Sequence, residues 1–164
     1  MLTRRQFVRM MAAFGVAFGA ASRPVSAASV GEGIQTSGLI YITPYKSNGE
    51  YSSCQSEIWF VERGGALYVC TDTGSWRARA PRSGLDLAHV WVGDVGVWRR
   101  GDNRHRALPS VDATASVVTD DAMIEDLLER FGSKYRLGWL LWRGRFRRGL
   151  EDGSRVMLRY QPVT

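Results

Sequence analysis

The chain is predicted to be mainly β, a small barrel with helical additions. Short β-branched and aromatic runs recur between Leu39 and Val118, separated by Gly, Asn or Asp turns. Two of them, Ile58-Trp59-Phe60-Val61 and Leu67-Tyr68-Val69, are apolar at every position. Both their faces must then be covered, as in the middle of a closed sheet. A helical stripe and a final alternating run complete the chain, which adds helices to the barrel rather than interleaving them with strands.

Residues 1–27 read as an address rather than as part of that fold. Thr3-Arg4-Arg5-Gln6-Phe7-Val8 has the pattern of a twin-arginine export signal. An uncharged apolar run, Met10 to Ala21, follows, and then the small residues Val25-Ser26-Ala27-Ala28. The run is shorter than the roughly 20 residues that span a bilayer, so a cleaved signal is expected rather than an anchor. Cleavage is expected after Ala27 or Ala28. The expected partner is the twin-arginine translocase, and the expected location is periplasmic or extracellular. That route carries folded proteins, often because a cofactor is loaded in the cytoplasm.

The signal also explains the charge. The chain has 22 Lys and Arg against 16 Asp and Glu. Arg4, Arg5, Arg9 and Arg23 belong to the signal, which leaves 18 against 16, a net of +2. Basicity therefore gives no ground for a nucleic-acid partner. The remaining 137 residues suit one domain with its own core. Residues 28–37 are small and polar and read as a flexible leader, and residues 38–164 as the domain.

Within the domain, Leu39 to Tyr45 is the first strand, and Asn48-Gly49 centres the turn after it. Glu57 to Glu62 is the second, joined by Gly64-Gly65 to Ala66–Thr71. Leu87–Val92, Val95–Trp98 and Ala113–Val118 follow as strands. Asp120-Asp121 opens a helix, with Met123, Ile124, Leu127, Leu128 and Phe131 on one stripe. Gly132 suits its end, and Lys134 to Leu150 suits a second helix. Arg155 to Gln161 alternates as the closing strand.

An oxidising compartment permits a disulfide between Cys54 and Cys70. A two-residue Gly64-Gly65 turn sets Cys70 opposite Trp59 and leaves Cys54 five residues further on, too far for a direct bridge. A twisted loop before residue 55 would bring them together. His89 reads as a satisfied core residue, and His105, among charges, as solvated. Neither has the company of a metal site. The arginines of 143–148, interleaved with Trp139, Trp142 and Phe146, fit either a membrane surface or a helix with one packed and one solvated face.

The stretch Thr71-Asp-Thr-Gly-Ser-Trp-Arg-Ala-Arg79 carries the chemistry. It lies where an apolar strand becomes a polar turn. Thr71, Thr73 and Ser75 offer hydroxyls, Gly74 permits close approach, and Arg77 and Arg79 offer guanidinium forks for phosphate or carboxylate. An exposed basic loop is the plain alternative.

The run Ile58-Trp59-Phe60-Val61, Gly64-Gly65-Ala66-Leu67-Tyr68-Val69, Thr71-x-x-x-Ser75-x-Arg77 resembles the split β-barrel flavoproteins. These are the pyridoxamine 5′-phosphate oxidase-like family and its deazaflavin-dependent (coenzyme F-420) relatives. Tyr41-x-Thr43-Pro44-x-Lys46-x-x-Gly49 resembles the family's first hairpin. The resemblance covers roughly residues 38–100 and the closing strand. Arg77 stands at the family's phosphate-binding lysine, Ala80-Pro81-Arg82 replaces its basic-leucine continuation, and Ser83-Gly84-Leu85-Asp86 replaces its Asn-Pro. The resemblance implies a split barrel of Greek-key antiparallel strands, a homodimer, and FMN or deazaflavin in the groove between barrels. It implies cofactor contacts from Thr71, Thr73, Ser75, Trp76, Arg77 and Arg79, with Trp76 stacked on the ring or shielding the phosphate. The implied activity is a flavin- or deazaflavin-dependent oxidoreductase acting on a small molecule. A split-barrel protein that binds haem or another ligand, or no cofactor at all, is the alternative. No catalytic acid or base is identified.

Overall fold

The computed structural model describes residues 27–100 and 102–163. All but the last residue of the signal lies outside them. The described chain forms one seven-stranded antiparallel sheet, curled into a half-barrel with helical additions. Its strands are β1 (Ile40–Pro44), β2 (Ser56–Ile58), β3 (Val61–Arg63), β4 (Ala66–Asp72), β5 (Leu87–Val92), β6 (Ser110–Val117) and β7 (Arg155–Pro162). The helices are α1 (Ala27–Thr36), α2 (Trp76–Arg79) and α3 (Asp121–Glu151).

The order across the sheet is β2-β1-β5-β6-β7-β4-β3. The outermost strands, β2 and β3, are consecutive in the chain and separated only by Trp59 and Phe60. A two-residue link spans at most about 10 Å, so the sheet must curl until its edges nearly meet. The single strand expected over 57–62 is thus two, because it passes from one edge of the barrel to the other.

Tyr135 of α3 holds this seam. Its hydroxyl accepts the Phe60 N–H at 2.8 Å and directs its proton at the carbonyls of Phe60 (2.8 Å) and Gly38 (2.9 Å). Those backbone groups have no strand partner at the split, and a buried group left unpaired is costly. The Tyr135 ring stacks on Trp59, with centroids 4.3 Å apart.

Strand alternation makes two cores. Ile40, Ile42, Leu67, Val69, Val90, Leu158 and Tyr160 fill the barrel. Tyr68, Cys70 and Met157 point outward and pack beneath Leu127, Phe131 and Phe146 of α3. β4 is therefore apolar on both faces because α3 covers its outer one. The Arg63–Ala66 register follows from the Gly64-Gly65 turn as expected, and Gly64 and Gly65 take φ of 59° and 78°.

Three expectations are corrected. Residues 27–36 are helical, not a flexible leader: Val30 and Ile34, one turn apart, dock against the barrel core. Gly33 permits this approach, since a Cβ there would lie 3.0 Å from Val92 Cγ1. Val95–Trp98 is a loop, not a strand. Gly96 takes φ of 81°, and the Tyr41 hydroxyl accepts the Val95 N–H and donates to the Gly96 carbonyl. His105 is buried, 1% exposed, stacked on Tyr41 at 5.0 Å and edge-on to Trp91 at 5.1 Å.

α3 is capped by Asp120, whose carboxylate accepts the Met123 N–H at 2.6 Å. Its helical geometry breaks at Arg136 (φ 40°, ψ −102°) rather than at Gly132. Residues 121–135 and 137–151 form two arms that fold back on each other. Arg147 pairs with Glu125 through two hydrogen bonds of 2.8 and 2.9 Å, and Phe131 meets both Trp139 and Phe146. Gly132 supplies room instead of a terminus: a Cβ would lie 3.0 Å from the Trp139 indole nitrogen.

Candidate functional site

The split in the barrel opens as a cleft of about 520 Å³, within the range of small-molecule sites. β2 contributes Ser56, Glu57 and Ile58, followed by Trp59. The end of β4 contributes Cys70, Thr71 and Asp72. Arg77 of α2 and Arg155 of β7 supply cations, and Trp142 and Phe146 complete an aromatic wall. Trp59, Trp142 and Phe146 give the cleft its aromatic surface, and the Arg155 guanidinium lies over the Phe146 ring, 5.5 Å from its centroid.

Arg77 is the most unusual of these groups. It is 6% exposed, held down by the short helix after the Thr71–Ser75 turn. Its Nη2 donates to Ser56 Oγ and points at Cys54 Sγ, 3.9 Å away. Its Nε–H, also buried, has no acceptor among the described residues. A buried guanidinium with no carboxylate partner is rare, because desolvating a charge costs several kcal/mol, of order, unless something compensates. The Tyr160 hydroxyl is likewise buried without a partner, and its burial raises its pKa while the Arg77 charge opposes the rise.

The remaining predicted contacts divide. Thr71 lines the cleft, with Oγ1 3.5 Å from Ser75 Oγ. The Thr73 hydroxyl donates to the Gly153 carbonyl at 2.8 Å, and the Ser75 hydroxyl to the Asp72 carbonyl at 2.7 Å. Their protons therefore hold the turn together. Arg79 is exposed and rests over the Trp76 ring, 5.7 Å from its centroid. That pair does not line the cleft, where the aromatic side chains are Trp59, Trp142 and Phe146.

Cys54 and Cys70 are unbridged. Burial pushes the Cys70 thiol up to about 11, against the pull of Arg155. The acids at the cleft are partly engaged: Asp72 accepts the Gly74 N–H at 2.8 Å, and Glu57 accepts the Trp98 N–H at 3.3 Å.

Sequence reasoning missed Trp59, Tyr135, Trp142, Phe146, Ser56 and Arg155. Strands β2 and β7, the link after β2 and helix α3 bring them together, and no local spacing marks that meeting. A faint signal was present at Trp59-Phe60, two large aromatics side by side in the middle of an unbroken apolar run.

No family model and no curated protein matches the chain. Solved structures do share its fold. The haem storage protein HutZ of Vibrio cholerae aligns over 84% of this chain and 90% of its own, at 16% identity and a TM-score of 0.56. A pyridoxamine 5′-phosphate oxidase-like protein of Listeria innocua aligns over 81% and 90%, at 13% identity and a TM-score of 0.53. A conserved hypothetical protein of Mycobacterium tuberculosis aligns over 85% and 81%, at 14% identity and a TM-score of 0.57. The fold is accordingly the split barrel of pyridoxamine 5′-phosphate oxidase-like proteins.

Proposed function

We propose that this chain is an exported flavin- or deazaflavin-binding protein of the pyridoxamine 5′-phosphate oxidase-like class, working as an oxidoreductase on a small molecule. The observation that carries this reading is the buried Arg77 Nε–H without an acceptor, beside a cleft walled by Trp59, Trp142 and Phe146. A phosphate-bearing aromatic cofactor fits both halves: its anion answers the guanidinium, and its ring answers the indoles.

In this reading Arg77 and Thr71 hold the phosphate, and Arg155 adds charge. Trp59 and Trp142 orient the ring and exclude water from it. Thr73, Ser75 and Asp72 keep the turn in shape, which fixes Arg77. The cofactor, when bound, supplies hydride or electron transfer. As in the family it resembles, the chain is proposed to pair with a second copy, with the cofactor between the barrels.

Haem, which HutZ stores, is a second candidate ligand. Neither described histidine lines the cleft; Cys70 is the soft ligand in its wall. The flavin reading is thus the better supported.

Titration with FMN and with F-420, followed by fluorescence, tests the assignment. Arg77→Met is expected to weaken retention about tenfold to a hundredfold, the range of a lost hydrogen bond to a charged group. Arg77→Lys is expected to restore part of it. Unchanged affinity in Arg77→Met, with its fold intact by circular dichroism, would remove Arg77 from the site.

A further inference from the structure

The tip of the α3 hairpin does not belong to the cleft. Leu137 is 80% exposed, Leu140 59% and Leu141 84%. They sit on the outer side of the second arm, immediately after the break at Arg136. Trp139 and Phe146, on the inner side, pack against Phe131. Helix formation alone does not require three water-facing leucines in one turn, because this arm already buries a separate apolar face.

The surrounding charge has one sign. Between Arg130 and Leu150 stand seven basic residues and no acid. Arg130 and Arg147 are paired with Asp126 and Glu125. Arg136, Arg143 and Arg145 make no ion pair with a described acid, and Arg145 lies over the Trp142 ring at 5.1 Å. Leucines at the crest with arginines beside them form the pattern of a segment lying in a membrane interface. No described helix is long and apolar enough to cross a membrane, so contact would be peripheral.

Charge also decides between occupants. A second copy docked face to face would set these arginines against their own kind. An anionic lipid surface instead sets opposite charge against them. We propose that the α3 tip is a docking surface for anionic phospholipid bilayers, with Leu137, Leu140 and Leu141 entering the headgroup boundary and Arg136, Arg143 and Arg145 meeting lipid phosphates. This inference does not rest on the cofactor reading.

Hydroxyl-radical footprinting of the full chain, read by mass spectrometry at residues 137, 140 and 141, tests it locally. Vesicles containing phosphatidylglycerol are expected to lower labelling there several-fold, and phosphatidylcholine vesicles are expected to leave it unchanged. Arg143→Gln/Arg145→Gln is expected to weaken the effect by roughly tenfold or more in lipid concentration, at about 1 kcal/mol per basic residue near such a surface. Unchanged labelling with anionic vesicles would overturn the proposal, as would equal protection by neutral ones. Protection without lipid that grows with protein concentration would assign the face to a second copy and overturn it equally.

Discussion

Burial of His105 against Tyr41 and Trp91 strips the water that would solvate an imidazolium, and the nearby Arg106 charge opposes protonation further. Both lower its pKa from the ordinary 6.5. The unfolded chain therefore binds a proton before the folded one does, and stability must fall as pH drops below 6.5 towards the folded value. Thermal melts taken at descending pH are expected to show this decline, and His105→Gln is expected to flatten it. An unchanged slope in that variant would place the titrating group elsewhere. Tyr135 is the second residue with an outsized role. Tyr135→Phe keeps the stacking on Trp59 but leaves the seam's backbone groups unpaired, at an expected loss of about 1–3 kcal/mol in chemical denaturation. The sequence around His105 is Arg-His-Arg, and that local basicity suggested exposure. Its burial depends on Tyr41, some sixty positions earlier, which no reading of neighbours reveals.

Secondary-structure elements were legible wherever a pattern was local. The Gly64-Gly65 hairpin, its register, the Asp120 cap and the alternation of β7 all come from adjacent residues. The elements that misled are those decided by tertiary contact. α1 is glycine-bearing and weak by propensity, yet it is helical because Val30 and Ile34 find the barrel core. The segment 57–62 has strand composition throughout and still divides, because closure of the sheet requires it. The two arms of α3 are joined to the cleft through a steric fit at Gly138, where a Cβ would come within 2.9 Å of Trp59 Cη2. Gly138→Val is therefore expected to displace Trp59, destabilise the domain by about 1–3 kcal/mol, and widen the cleft. A melting curve and Trp fluorescence would register both, and a wild-type melt would show that the arm can shift without cost.

The whole molecule is one curled sheet whose unfinished closure creates its site. The strands supply the frame, the turn after β4 sends Arg77 into the gap, and the second arm of α3 lays Trp142 and Phe146 across it. The side of the cleft formed by the turn after β4 was readable in the local run from Thr71 to Arg77, and Thr71 and Arg77 line it. The aromatic side was not, because Trp59 and Trp142 lie more than eighty residues apart in the chain. Export as a folded unit and pairing of two barrels belong to the same proposal, in which the cofactor is loaded in the cytoplasm and covered by a second copy. Native mass spectrometry of protein recovered from the export compartment, with an absorption spectrum of the same sample, bears on all of this. The expected result is a two-chain mass carrying FMN or deazaflavin, with the matching visible band. A colourless protein of bare mass that also fails to take up either compound when it is supplied would contradict it.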